Sequence, residues 1–210
     1  MAEIVSRNVS LGAYKVYSLQ TKKSQGQDVL LLHGAKFQAE IWKELKTLHR
    51  LDDAGYRPHA IDLPAFGKSP RCPVAHETVL QWFIQEQKLS RPVLVGPSMS
   101  GRISLEFAVK YPEFVGKLVL IGAVGVQERS EQLDRIRVPC LILWGSNDTV
   151  APLAYARLLH DRIPGAELRI FDNASHPCYL DQPDLWHQEL LAFLHRKLKT
   201  LQQAAGNLRP

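Results

Sequence analysis

Short apolar runs alternate along the chain with longer stretches of helical period, the pattern of a mostly parallel sheet flanked by helices. Residues 4–19 alternate instead, with Tyr14, Val16 and Ser18 set against Ala13, Lys15 and Tyr17, and predict a hairpin. The run VLLLHG, residues 29–34, predicts a buried strand stopped by glycine. Further strands are expected at 57–63, 92–96, 115–123, 138–145 and 166–172. Between them, helices are expected at 40–54 (closed by Gly55), 74–88, 99–111 (ended by Pro112) and 152–163 (opened by Pro152). A long amphipathic helix is expected from Pro183 to about Gln203. There are no internal repeats and no low-complexity segment, so one α/β domain over residues 1–198 is expected, with 199–210 as a frayed tail.

Composition narrows the class. The chain has 210 residues, enough for one good core, and its 45% hydrophobic content is ordinary for a soluble protein. The net charge is +5, with Arg196, Lys197, Lys199 and Arg209 near the C-terminus. That reads as a solvated basic end. There is no zinc-finger spacing and no basic run interleaved with aromatics, so no nucleic-acid partner is expected. The opening MAEIVSRNVS has no apolar core and does not read as a secretory signal. The most apolar stretch, 115–126, is broken by Lys117 and is too short to cross a bilayer. Cys72, Cys140 and Cys178 are odd in number and form no CxxC pair. Cys140 reads as a buried small hydrophobe. A reduced compartment follows as the expectation: cytoplasm, with the nucleus as a second location, and no membrane.

The most informative segment is VLVGPSMSGRISLEFAVKYP. A short strand runs into Gly96-Pro97-Ser98-Met99-Ser100-Gly101 and directly into a helix. That context suits a nucleophile elbow, a turn sharp enough to strain the serine and needing small neighbours at Gly96 and Ser100. It places Ser98 Oγ at the carboxyl end of the sheet and at a helix N-terminus, where free amides favour negative charge. The usual pattern is G-x-S-x-G. Ser100 takes the place of the last glycine and is small enough to be tolerated.

A serine hydroxyl needs a base, and the base an orienting acid. Downstream, VPCLILWG runs into Ser146-Asn147-Asp148, and LRIFD runs into Asn173-Ala174-Ser175-His176. Asp148 and His176 therefore fall on loops at the same sheet edge as Ser98, in the order serine, acid, histidine. His176 is the expected base and Asp148 its partner. Asp172 and Asp181 compete as acids; Asp172 is too close in sequence to His176, and Asp181 reads as a cap for the last helix. Ser100 and Ser175 compete as hydroxyls without the elbow position. The amides of Met99 and Ala35 are the expected oxyanion donors. Lys36 follows Ala35 and reads as a solvated lysine, with a charge available to an acyl or phosphate group. No metal is expected: His33, His49, His59, His76, His160, His187 and His195 have no ligand spacing. Trp186 and His187 read as packing or surface residues.

Together, LLLHG, AIDLPAFGKS, VGPSMSG, LILWGSND and NASHPCYLDQPDLWH resemble the α/β-hydrolase superfamily over nearly the whole chain. Pro97-Ser98-Met99-Ser100-Gly101, His176-Pro177-Cys178-Tyr179-Leu180 and Thr47-Leu48-His49-Arg50-Leu51 are similar to the α/β-hydrolase-domain-containing protein 14 family. The resemblance implies a single-domain α/β-hydrolase fold, a triad of Ser98, Asp148 and His176, and activity on short acyl groups. It also implies protein-lysine deacetylation with coenzyme A as acyl acceptor, and a transcription-factor partner.

Many enzymes of this fold carry a helical cap between the strand after the elbow helix and the acid-bearing strand. Here only residues 127–137 fill that gap, a connection without a cap domain. A shallow, open mouth is expected, suited to a small acyl substrate or an acyl group on a larger protein. The leading expectation is a serine hydrolase working through an acyl-enzyme, with no required cofactor. An acyltransferase to coenzyme A is the second reading, and a non-enzymatic scaffold or ligand receptor on the same fold is the third.

Overall fold

The computed structural model describes residues 2–22 and 25–196. Eight strands are present: β1 (Ile4–Leu11), β2 (Tyr14–Thr21), β3 (Asp28–Leu31), β4 (Arg57–Ile61), β5 (Val93–Pro97), β6 (Lys117–Ile121), β7 (Cys140–Gly145) and β8 (Glu167–Phe171). They form one sheet in the order β1-β2-β4-β3-β5-β6-β7-β8. From β4 to β8 in that order all pairings are parallel, while β1 and β2 join antiparallel at one edge. The alternating segment is thus a hairpin, with Gly12 at φ +63 in its turn between the paired Leu11 and Tyr14.

Helices cover both faces. On one side lie α3 (His76–Glu86), α4 (Met99–Lys110) and α5 (Leu153–Arg162); on the other α1 (Glu40–Glu44), α2 (Thr47–Asp53), α6 (Cys178–Asp181) and α7 (Pro183–His195). The strands feed both layers by alternation. Leu30, Leu94, Leu118, Leu120 and Ile142 pack towards Phe83, Ile103 and Phe107. Val29, Val95, Val119, Ile121 and Leu143 pack towards Trp42, Leu51 and Trp186. The chain steps from β3 to β4 in one direction and from β5 to β8 in the other. The switch point therefore lies between β3 and β5, where open α/β sheets place their ligand crevice.

Two expectations are corrected. The helix expected at 40–54 is two helices, broken at Lys46, which is left-handed at φ +61. Trp42 and Thr47 are both fully buried, Trp42 Nε1 donating to Leu32 O at 2.8 Å. On one straight helix, positions five apart point about 140° away from each other. The break lets both face one core, where Thr47 Oγ1 accepts from Trp186 Nε1 at 3.3 Å and lies 3.0 Å from His187 Nε2. Trp186 and His187 are accordingly interior residues. The second correction is Asp181, which does not cap α7: the cap position is Gln182, and no side chain bonds there. Asp181 Oδ2 instead accepts from the Ser175 amide and hydroxyl, both at 2.6 Å. A short helix, α6, also precedes α7, and no periodicity announced it. The expected extension of α7 to Gln203 and the tail at 199–210 lie outside the described residues.

Lys117, seen in the sequence as an interruption, is buried inside β6. Its Nζ donates to the carbonyls of Phe193 (3.1 Å), Leu194 (2.8 Å) and Arg196 (3.1 Å), closing the C-terminal end of α7. Between β6 and β7 there is a 3-10 helix, Gln127–Arg135, pinned by buried Leu133 and by the Arg129–Glu106 ion pair, and no inserted domain. No helix among the described residues is long and apolar enough to cross a membrane.

Candidate active site

Ser98 sits between β5 and α4 with φ +51 and ψ −115, a backbone conformation rarely populated by a residue with a side chain. Its neighbours have no room to spare. A Cβ on Gly96 would meet Ser104 Oγ at 2.3 Å and Ser100 O at 2.4 Å, and one on Gly101 would meet Ala123 Cβ at 2.6 Å. The Ser98 amide donates to Ile121 O at 2.8 Å, and its carbonyl accepts from Gly101 N at 2.9 Å. The strain is thus held by hydrogen bonds on both sides of the residue.

Asp148 follows β7 and His176 follows β8. The structure brings them to Ser98: His176 Nε2 lies 2.8 Å from Ser98 Oγ, and His176 Nδ1 lies 2.7 Å from Asp148 Oδ2. A carboxylate only accepts, so Nδ1 carries the proton and Nε2 is left to accept from the Ser98 hydroxyl. The Asp148 side chain is buried, and its second oxygen accepts from the Val150 and Ala151 amides at 2.8 Å each. The competing residues are elsewhere. Ser175 is occupied by Asp181, Ser100 Oγ donates to the His33 carbonyl, and the carboxylate of Asp172 is not among the partners of His176.

The Ala35 amide, just after β3, and the Met99 amide, just after Ser98, have no acceptor among the described residues. The loop bearing Ala35 is anchored by His33, which is fully buried. Its Nε2 accepts from the Leu63 amide at 3.0 Å and its Nδ1 donates to Gly34 O at 2.9 Å, so one neutral tautomer is fixed. Burial also holds the pKa of His33 below its ordinary value.

A cavity of about 300 Å3 opens on Ser98 and His176, walled by Gly34, Ala35, Lys36, Phe37, Pro97, Ile121, Val150, Pro177 and Tyr179. Its wall is largely apolar, with the Phe37 and Tyr179 rings edge to face at 6.5 Å. Lys36 is exposed on its rim and makes no ion pair among the described residues. Burial, reinforced by the Asp148 and Asp181 carboxylates, pushes the neighbouring thiol of Cys178 up to about 12, so it stays protonated near neutral pH. A larger cleft of about 490 Å3 lies between the β1–β2 turn and α3, walled by Tyr14 and Trp82, and includes none of these residues.

A family model described as alpha/beta hydrolase fold matches residues 29–131. The chain is 32% identical to ABHD14B of Rattus norvegicus, a protein for which protein-lysine deacylase activity has been put forward, over 91% of this chain and 96% of that one. It is 34% identical to ABHD14A of the same species, over 84% and 75%. The chain belongs to the α/β-hydrolase-domain-containing protein 14 family. Solved structures agree on the fold. A predicted CIB-like hydrolase from Thermoplasma acidophilum superposes with a TM-score of 0.88 at 22% identity, covering 92% of this chain and 99% of that one. An esterase from Exiguobacterium antarcticum gives 0.80 at 21%, covering 93% and 100%. The fold of this family member is therefore a capless α/β-hydrolase fold with a mostly parallel sheet.

Sequence reasoning missed three residues at the site. Phe37 and Tyr179 wall the cavity from α1's approach and α6, and Gly122, at φ +52 after β6, packs against the His176 ring. Only Gly122 carried a signal, a glycine closing an apolar strand.

Proposed function

We propose that this α/β hydrolase is a serine hydrolase that forms an acyl-enzyme at Ser98 on small acyl substrates. The hydrogen-bonded chain from Ser98 through His176 to Asp148, 2.8 and 2.7 Å long and opening on a cavity, carries the reading. His176 Nε2 takes the Ser98 proton as Oγ attacks the acyl carbon. Asp148 holds the imidazole in that tautomer and stabilises the imidazolium. The free amides of Ala35 and Met99 receive the oxyanion. The tetrahedral intermediate collapses to acyl-Ser98, and His176 returns the proton to the leaving group. Water, deprotonated by His176, then releases the acid. A cavity of about 300 Å3 is at the small end for ligand sites and fits a short acyl group.

A second reading keeps the same acyl-enzyme and changes the acyl donor and acceptor. The similarity to ABHD14B favours an acyl group carried on a protein lysine as donor, with a thiol such as coenzyme A replacing water. Turnover of p-nitrophenyl acetate by wild type and Ser98→Ala, with and without coenzyme A, tests both. A burst of nitrophenolate lost in Ser98→Ala supports the acyl-enzyme, and acceleration by coenzyme A favours transfer over hydrolysis. Wild-type turnover no faster than that of Ser98→Ala overturns the enzyme reading in favour of a scaffold or receptor.

A further inference from the structure

Ser100, the residue that departs from the usual elbow pattern, is fully buried, and its hydroxyl donates to the main-chain carbonyl of His33. Ser100 is the residue after Met99, and His33 is two residues before Ala35. One side-chain hydrogen bond therefore joins the two chain segments that carry the two free amides. Of the three small residues flanking Ser98, it is the only one with a side chain to spend. A Cβ at Gly96 or Gly101 would collide with its surroundings, whereas position 100 holds a hydroxymethyl group and supplies it with an acceptor.

The segment that needs this support is weakly held by the sheet. Beyond β3 the last strand-type bond is Leu32 N to Val95 O at 2.9 Å. After it, three successive carbonyls rely on side chains or a local turn. Leu32 O accepts from Trp42 Nε1 at 2.8 Å, His33 O accepts from Ser100 Oγ, and Gly34 O accepts from His33 Nδ1 at 2.9 Å and Phe37 N at 3.0 Å. Of these ties, only the one from Ser100 comes from the elbow itself. Oxyanion donors act by being placed before charge develops, and a misplacement of about 1 Å can cost about 100-fold in rate.

We infer that Ser100 is a positioning residue for the oxyanion hole: its hydrogen bond to the His33 carbonyl sets the separation of the Ala35 and Met99 amides. The inference rests on the reading of Ser98 as nucleophile. It predicts a defect in transition-state stabilisation that leaves ground-state binding alone, which a purely structural role would not produce.

The test uses the full chain with Ser100→Ala and Ser100→Gly, the latter restoring the usual elbow residue and so guarding against a folding failure of the former. End-point labelling with a fluorophosphonate counts folded, competent sites, and rates are expressed per labelled site. For p-nitrophenyl acetate, kcat is expected to fall about tenfold or more with KM within about twofold. Affinity for a methyl trifluoromethyl ketone, which adds to Ser98 as an oxyanion, is expected to fall by a similar factor. Ser100→Cys, retaining a weak donor, is expected to lie between wild type and Ser100→Ala. Unchanged kcat and ketone affinity in both variants, with Ser98→Ala inactive, overturns the role of Ser100 while leaving the nucleophile in place. A fall in melting temperature with per-site kinetics intact overturns it equally. Activity in Ser98→Ala equal to wild type overturns the reading beneath it instead.

Discussion

A Cβ on Gly122 would lie 3.1 Å from His176 Nδ1 and 3.3 Å from Asp148 Oδ2. The glycine thus closes one side of the bond between the two residues. It also sits at φ +52, where a side chain is strained, while its amide is committed to Leu143 O at 3.0 Å. Gly122→Ala is therefore expected to push the imidazole off its line to Ser98. Kinetics should show kcat/KM down about tenfold or more, and chemical denaturation a loss of about 1–2 kcal/mol. Full activity with normal stability would refute the crowding argument.

Asp148→Asn tests whether the tautomer matters. The Oδ1 side of the residue is anchored by the Val150 and Ala151 amides, so the substituted side chain keeps its position. Its NH2 then faces His176 Nδ1, which must accept, and the ring proton moves to Nε2, where Ser98 no longer finds a base. Burst kinetics should show acylation slowed by roughly 10²–10⁴ with little change in KM. A loss under about threefold would mean that Asp148 only anchors its loop.

Asp28 gives a pH signature far from the site. Its carboxyl is buried, which by itself raises the pKa. The hydrogen bonds from His59 Nε2 (3.0 Å), the Arg57 guanidinium (2.5 and 2.9 Å) and the Ser90 amide (3.1 Å) outweigh burial and bring it down to about 2. The folded value is depressed, so the unfolded chain binds more protons in the window between them. The associated stability is present above the unfolded value near 3.8 and is lost as pH falls through about 2. It amounts to about 2 kcal/mol. Urea midpoints of wild type and Asp28→Asn should differ by a constant amount above about pH 5 and converge as pH drops from about 4 towards 2.

Lys117→Met keeps an unbranched side chain one atom shorter but removes all three donors to the end of α7. The Phe193 and Leu194 carbonyls are left buried without that partner, and roughly 2 kcal/mol or more of stability should be lost. Per-site activity should be unchanged. A variant as stable as wild type would show that water replaces the ammonium.

The meeting of Ser98, Asp148 and His176 was legible because each rests on a local pattern: a strand, a short polar turn, and chain order along one sheet edge. The hairpin and the parallel strands were legible for the same reason, since buried strands announce themselves as apolar runs. What was hidden depends on distant partners. Nothing in ELKTLHR marks a break at Lys46; the break exists because Trp42 and Thr47 must both face α7 and the sheet. Lys117 looked like a flaw in an apolar run because its acceptors lie more than seventy residues away. Asp181 looked like a cap because it precedes Pro183, but Ser175 claims it. Ser100 was read by size alone, and its acceptor lies across the switch point.

The residues around Ser98 come from the loops after β3, β5, β6, β7 and β8, so no short contiguous fragment of the chain contains them together. His176 arrives only when β8, at the far edge of the sheet, has paired with β7. Long-range parallel pairing of this kind is slow to form and completes late. On the proposed reading, turnover at Ser98 is then a report on the whole architecture. A refolding time course followed by activity should lag one followed by helix signal, and the lag measures the time the sheet takes to complete its pairing out to β8.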